Sequence, residues 1–387
     1  MEDFFTPVSK AVIAHRELLP ENTLGKKLVL HSQKNNFPDI SSSKIVIFGV
    51  SESRKCENYL GKQPVFDSVR KSFYALYSGN WHLPVADIGD IQAGETVEDT
   101  YFVIKKIVSH FIKNQKIPIL LGGSQDLVYA VYRGYDNFGK MINYVNIDSR
   151  FDLGNSENPI SNKSFVGKMV VDKPFNLFNY SNIGYQTYFN NPDEIDLIEK
   201  LYFDAYRLGD VTPDISIVEP VLRDADIVSI DVSAIKNSEF SYIGNHSPNG
   251  FDGKEICAIA RYAGISNKVS SFGIFEIPVP EKENSSSMLL AQMLWYFIEG
   301  VNFRMDDGDF QSEKDFTGYH VPLENEILVF KKSNKTQRWW IELPFIYDFN
   351  NKLKSLTLLP CTYQDYENAC ANEIPERWYK AKQKNEL

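Results

Sequence analysis

The chain has 387 residues, of which 43% are hydrophobic and 24% charged, so it is long enough for a substantial core in one large or two ordinary domains. Its formal net charge of −10 argues against broad electrostatic binding to nucleic acid or anionic lipid. No signal peptide and no apolar run of ~18 residues is recognisable, so we expect no membrane span. The four cysteines show no paired spacing, which predicts reduced thiols in a cytoplasmic protein.

The first part of the chain predicts a polar lead-in segment and then alternating strands and helices. The lead-in covers 1–43, with a short helix expected at 6–19. "KIVIFGV" (44–50) is an apolar run typical of a buried parallel strand. "ETVEDTYFVIKKIVSHFIKNQ" (95–115) repeats apolar residues at helical spacing. Because this alternation continues through 44–301, we predict a three-layer α/β/α domain with a doubly wound, mainly parallel sheet.

The character of the sequence changes after residue 301. A polar, acidic stretch is followed by three strand-like pieces, "EILVFKKS", "RWWIELPF" and "SLTLLPC". A short helix is expected near 363–371. These features predict that 302–387 is a β-rich extension packed on or beside the core.

Polar side chains follow four of the predicted strands: Gln125, Asp126, Asp148, Arg150, Asp152, Asp231, Ser233 and Glu276. Ligands of open parallel sheets bind at the carboxyl ends of strands, so neighbouring strands would gather these groups in one cleft. In "YVNIDSRFD", Asp148, Arg150 and Asp152 are spaced by two and would point the same way on an extended backbone. Taken alone, the triplet is also compatible with an exposed ion pair, and "GGSQD" with a phosphate-binding turn.

The order and spacing of these segments resemble the ureohydrolase superfamily of arginase, agmatinase and especially formimidoylglutamase. The matching stretches are "GGSQD", "NIDSRFD", "SIDVS" and "FEIP", supported by "ADIGDIQAG", "NIGYQ" and "SPNG". The resemblance covers about 44–301. It implies an arginase-like fold and hydrolysis of linear C–N bonds in amidines at two Mn²⁺ ions bridged by carboxylates.

The resemblance places the family's six metal-ligand positions on Gln125, Asp148, Arg150, Asp152, Asp231 and Ser233. The three aspartates are retained, whereas the two histidine positions carry glutamine and arginine and one aspartate position carries serine. Three aspartates and one arginine sum to a charge of −2. One divalent ion would neutralise this charge and two would exceed it.

An arginine in a metal site requires a different interpretation, because a guanidinium has no lone pair for a metal. We expect Arg150 to place its guanidinium where the second ion would lie and to pair there with the bridging carboxylates. No bound metal is then expected, or at most one divalent ion (Mg²⁺, Ca²⁺ or Mn²⁺). The ligands of that ion would be Asp148, Asp152, Asp231 and Gln125.

Two further residues match substrate-contacting positions of the family. Glu276 matches the glutamate that binds the guanidinium or formimino group of the substrate. Ser161, in "SNKSF" (161–165), lies where formimidoylglutamase has a substrate loop. Both are therefore expected to face any ligand in the cleft.

These observations predict a ureohydrolase-fold protein that has lost its binuclear manganese centre and acts in binding, assembly or regulation. A protein partner or a second copy of the chain is expected, with neither nucleic acid nor membrane. The alternative is an active hydrolase of the formimidoylglutamase type with one ion or an altered ligand set. A third hypothesis is a sensor that binds a guanidino or amidine ligand without turnover.

Overall fold

The computed structural model describes the whole chain except residues 35, 156–157, 241–246, 279–284, 325, 344–356 and 387. Nine strands of the described residues form one sheet: β1 Val29–Leu30, β2 Ile45–Ser51, β3 Val85–Gln92, β4 Ile117–Gly122, β5 Ile142–Ile147, β6 Leu177–Tyr185, β7 Asp204–Arg207, β8 Ile227–Asp231 and β9 Ser271–Phe275. Their order across the sheet is β1-β3-β2-β4-β9-β8-β5-β6-β7. Every paired neighbour in it runs parallel.

Helices cover both faces of this sheet. The helices up to the end of the sheet domain are α1 Lys10–Leu18, α2 Leu24–Lys27, α3 Asp67–Tyr74, α4 Val97–Lys113, α5 Leu127–Arg133, α6 Phe165–Val171, α7 Pro192–Lys200, α8 Leu208–Val211, α9 Glu219–Arg223, α10 Gly253–Ile265 and α11 Ser285–Asn302. Two separate clusters of buried apolar side chains, one on each face, include residues from the strands. The predicted three-layer arginase-like arrangement is therefore confirmed.

Local sequence explains where several of these elements begin. Thr96 and Asp99 form a capping box at the start of α4, and Asn191 and Glu194 form another at α7. All residues of β2 and β4 are buried, as expected of strands covered on both faces. Within the described residues, no helix is both long and apolar enough to cross a membrane.

A second, antiparallel sheet follows, made of β10 Phe316–Pro322, β11 Ile327–Ser333, β12 Trp339–Leu343 and β13 Thr357–Cys361. It packs with α12 Tyr363–Cys370 and α13 Glu376–Glu386 around its own apolar cluster. The β-rich extension expected after residue 301 is thus present. Its last helix, α13, was not predicted, because "ERWYKAKQKNE" is polar and carries a weak apolar pattern.

Arg223, at the end of α9, connects the two sheets. Its guanidinium donates to the carbonyl oxygens of Trp339 (3.2 Å) and Cys361 (3.0 Å), on adjacent strands of the second sheet. It also lies over the Trp340 ring, 4.6 Å from the centroid. The side chain is buried and also pairs with Glu219 at 3.1 Å, so it is held between α9 and the second sheet.

We predict that Arg223→Ala lowers the free energy of unfolding by about 2–4 kcal/mol, because two charge-assisted hydrogen bonds are lost at a buried contact. Urea denaturation of the full chain measures the change. The exposed Arg207 provides the control, since Arg207→Ala is expected to change stability by no more than about 0.5 kcal/mol. Equal stabilities of the two variants would show that Arg223 does not hold the second sheet.

Candidate functional site

The sheet order brings the sequence-derived site residues together. β4, β9, β8 and β5 are consecutive neighbours, and their carboxyl ends lead to Gln125, Glu276, Asp231 and Asp148 respectively. Asp152 follows a few residues after β5. All five side chains are buried. The cleft that we expected at these strand ends is therefore present as a cluster of carboxyl groups.

Gln125 lies between two of the carboxylates. One end of its side-chain amide lies 2.8 Å from Asp231 Oδ2 and 2.9 Å from Asp148 Oδ2, where Nε2 donates to both if the amide is turned that way. In the opposite orientation Nε2 donates to Asn146 Oδ1 at 2.7 Å and the amide oxygen faces the two carboxylates. The other oxygens of these carboxylates accept backbone N–H groups of their own turns. Asp148 Oδ1 accepts from Arg150 N (2.9 Å), and Asp231 Oδ1 accepts from Ser233 N (2.6 Å). Both aspartates are thus fixed in place.

A lysine that the sequence reasoning did not single out is the cation of this cluster. Lys163 Nζ lies 3.7 Å from Asp152 Oδ1, and 27% of the side chain remains accessible from the cleft. Burial alone would lower the pKa of Lys163. The surrounding carboxylates, led by Asp152 and Asp148 and including Asp231 and Glu276, instead raise it well above its ordinary value. Lys163 therefore remains an ammonium in contact with the cluster.

Arg150 does not occupy the position that we expected for it. Its guanidinium donates to the Phe189 carbonyl oxygen at 2.6 Å and lies over the Phe189 ring, 4.9 Å from the centroid. The expectation assumed an extended backbone through Asp152. However, β5 ends at Ile147 and Asp152 has a φ of +52°. The chain turns instead of continuing as a strand, so Arg150 does not point with the two aspartates.

Glu276 is nearly surrounded by partners of its own. Oε1 accepts from the backbone N of Gln125 (2.9 Å) and from Asn162 Nδ2 (3.1 Å), and Oε2 accepts from Cys56 Sγ (3.2 Å). Its φ of +57° is in the left-handed region, which directs the side chain inward at the end of β9. The carboxylate matched to substrate binding is therefore engaged by the protein itself.

The two serines of the expected site have local roles. Ser233 lies in the short turn Val232–Ala234 after β8 and lines the cavity beside the cluster. Ser161 bonds within its own turn, where it accepts from Lys163 N (3.2 Å) and pairs with Ser164 Oγ (3.2 Å). Ser161 thus shapes the turn that carries Lys163. It is not among the residues that line the cavity.

Burial changes the acidity of the whole cluster. It raises the pKa of Asp231 to about 7, with the Asp148 carboxylate adding to the shift and Lys163 opposing it. It raises the pKa of Asp152 to about 6, again opposed by Lys163. The pKa of Asp148 is raised well above its ordinary value by burial and by Asp152. Burial and Asp231 also raise the pKa of Glu276. These groups therefore hold protons far more readily than exposed carboxyls.

The cluster opens into a cavity of about 320 Å³. Its acidic lining residues outnumber the basic ones, which are Arg150 and Lys163. The acidic residues are Glu57, Asp152, Glu194, Asp231 and Glu276. A small molecule of positive charge is the kind of ligand that such a lining favours.

The side chains of this cluster differ from a complete binuclear ligand set. Among the described residues, no three His, Cys, Asp or Glu side chains are arranged to hold an ion. Lys163 adds an ammonium 3.7 Å from Asp152 Oδ1, which no metal ligand set requires. The cleft thus lacks both histidines and one aspartate of the two-Mn²⁺ pattern, whereas Asp148, Asp152, Asp231 and Gln125 of the expected single-ion set are all buried at the strand ends.

Comparison with known proteins identifies the family. A sequence model described as "Arginase family" matches residues 43–299, which is most of the sheet domain. The chain belongs to the arginase family. The resemblance drawn from the strand-end motifs is confirmed by this match.

Formimidoylglutamases are among its relatives. A formimidoylglutamase of Geobacillus sp. (strain WCH70) is 23% identical over 247 residues, which cover 60% of this chain and 75% of the relative. One from Staphylococcus aureus (strain JH9) is 23% identical over 244 residues, covering 60% and 78%. Both alignments leave a large part of this chain unmatched.

Solved structures of the same class share the fold. Trypanosoma cruzi formiminoglutamase, solved with Mn²⁺, superposes with a TM-score of 0.62 at 16% identity, covering 73% of this chain and 99% of that one. Bacillus subtilis formimidoylglutamase gives a TM-score of 0.62 at 15% identity, covering 73% and 93%. At these identities the likeness establishes the fold alone.

We predict that Arg150→Ala lowers the free energy of unfolding by only about 1 kcal/mol, because the guanidinium binds one carbonyl and one ring in a half-buried position. Removal of an arginine paired with buried carboxylates would cost about 3–5 kcal/mol. Urea denaturation separates the two values. A loss in the larger range would return Arg150 to the carboxylate cluster.

Proposed function

We propose that this arginase-family chain is a non-catalytic binding protein whose cleft is held together without a binuclear manganese centre. The observation that carries the proposal is the Lys163 ammonium within the carboxylate cluster. An ammonium at this position competes with a divalent ion for Asp152 Oδ1. It offers no coordination position at which a water could be activated.

The contacts of the other cleft residues support the same conclusion. Gln125 and Ser233, at two of the family's ligand positions, replace a histidine and an aspartate, and the Gln125 amide lies between Asp148 and Asp231. Arg150, at a third, turns away to Phe189. Glu276, which would receive an amidine, already accepts from Cys56, Asn162 and Gln125. Glu276 therefore has fewer acceptor positions left for an amidine, although it still lines the cavity.

The second candidate is a working hydrolase of linear amidines, similar to formimidoylglutamase. The comparisons favour it, because the relatives carry that name and a solved neighbour contains Mn²⁺. The cleft also retains Asp148, Asp152, Asp231 and Glu276 in one buried cluster. Membership of the arginase family thus supports catalytic turnover, whereas the contacts in the cleft support ligand binding without turnover. Metal content and activity decide between the two.

We expect the purified chain, incubated with excess Mn²⁺ and passed through gel filtration, to retain less than one equivalent of metal. It should also release no formamide from formimidoylglutamate above the buffer rate. Mass spectrometry of the metal and an assay of formamide measure both. Two equivalents of Mn²⁺ with turnover would establish the hydrolase. One equivalent with turnover would establish an altered single-ion site.

A reconstructed site provides the matched control. The variant with Gln125→His, Arg150→His and Ser233→Asp, combined with Lys163→Gln, restores the donor types of the family pattern and removes the competing ammonium. We expect it to retain about two equivalents of Mn²⁺ under the same conditions. The same three changes with Lys163 left in place should retain less. Equal metal retention by both variants would contradict the role given to Lys163.

The acidic lining predicts the class of ligand. Agmatine, a dication, should raise the unfolding temperature of the chain more than formimidoylglutamate, which carries carboxylates. Thermal-shift titration measures the difference. Glu57 is exposed and lines the cavity, so Glu57→Gln should reduce the agmatine shift. A larger shift with formimidoylglutamate would instead favour the hydrolase.

A further inference from the structure

The strand ends enclose four carboxyl groups that belong to different segments of the chain. Asp148 and Asp231 have no exposed surface, Asp152 is 2% exposed and Glu276 is 7% exposed. Carboxylates held this close in a poorly hydrated space repel one another and lose solvation. The fold therefore needs positive charge or bound protons at this point.

Lys163 is the side chain that supplies this charge. Its ammonium lies 3.7 Å from Asp152 Oδ1, and its charge opposes the rise that burial causes in the pKa of Asp148, Asp152, Asp231 and Glu276. Two arginines of this region have other hydrogen-bond partners. Arg150 binds Phe189, and Arg54 pairs with Glu52 at 2.5 Å.

The turn that carries Lys163 is fixed to the cluster by its neighbours. Asn162 donates to Glu276 Oε1 at 3.1 Å, and its side-chain oxygen accepts from Glu57 N at 3.2 Å. Immediately after the turn, Phe165 begins α6 and is completely buried. Since both sides of the turn are anchored, Lys163 is directed into the cleft by the fold and does not reach it as a mobile surface side chain.

We propose that the side-chain ammonium of Lys163 takes the place of a divalent metal ion and holds the carboxylate cluster together. This inference rests on the proposed function, because both take the cluster to be formed without manganese. It adds a consequence of its own. If the lysine charge is removed, the cluster becomes a site that needs a divalent cation, and the folded chain becomes dependent on that cation.

The experiment compares Lys163→Met with the wild type and with two control variants, all as the full chain. Lys173→Met removes an exposed lysine shortly after α6, and Arg150→Met removes the other cation of the cavity. Thermal unfolding is recorded in EDTA and separately with millimolar MgCl₂, CaCl₂ or MnCl₂. Bound metal is measured after gel filtration.

We expect Lys163→Met in EDTA to unfold at least about 5 °C below the wild type. Divalent cation should restore most of this difference, and the variant should retain up to one equivalent of metal. The wild type, Lys173→Met and Arg150→Met should show no such dependence. An unfolding temperature for Lys163→Met equal to that of Lys173→Met, or a loss that no cation restores, would overturn the proposal.

A double variant covers the case in which Lys163→Met alone does not fold. Removing one carboxylate together with the lysine, as in Asp152→Asn with Lys163→Met, should recover stability if charge balance is the cause. A double variant no more stable than Lys163→Met would indicate a packing role and reject the proposal. The unfolding experiments on the Lys163 variants are separate from the assay of hydrolysis, which tests the proposed function. A wild type that hydrolyses formimidoylglutamate with Mn²⁺ would reject the proposed function, whereas the Lys163 variants report on the lysine itself.

Discussion

The mutual repulsion of buried carboxyl groups is the constraint on which the rest of this cleft depends. The parallel order of the sheet places β4, β9, β8 and β5 side by side, so acidic residues that follow them must meet. Asp148 and Asp231 accept N–H groups from their own turns and cannot swing out to water. The repulsion must therefore be relieved from inside the cleft, where the Lys163 ammonium lies 3.7 Å from Asp152.

This arrangement also changes the role of Glu276. In a cleft that binds an amidine, this carboxylate would keep acceptor positions open for the ligand. Here Cys56, Asn162 and the Gln125 backbone all donate to it. Since Asn162 precedes Lys163 directly, the same hydrogen bond that engages Glu276 also positions the lysine turn. Glu276 thus connects the end of β9 to the segment before α6 and at the same time lines the cavity.

The sequence predicted the fold and the clustering of polar side chains at the carboxyl ends of neighbouring strands. Both follow from the apolar runs and from the parallel topology that such runs favour. It did not predict the internal cation. Arg150 was placed by assuming an extended backbone, and one positive φ at Asp152 invalidates that assumption. Lys163 was visible in "SNKSF", but that stretch was compared only with a substrate loop. The charge of −2 on the retained ligand set indicated that a cation was needed, but it did not distinguish a lysine from a divalent ion.

Membership of the arginase family and the side chains of the cleft carry different information about this chain. The family match extends over 43–299, where it depends on the many residues that build the sheet and its covering helices. Hydrolysis depends on the few positions that hold an ion and activate a water, and a fold can be kept while these change. An ammonium and a divalent ion can both hold carboxylates together, but only the ion offers an open position for water. Exchanging one for the other would preserve the cleft and remove the means of attack on a C–N bond, so the relatives' activity does not follow from the shared fold alone.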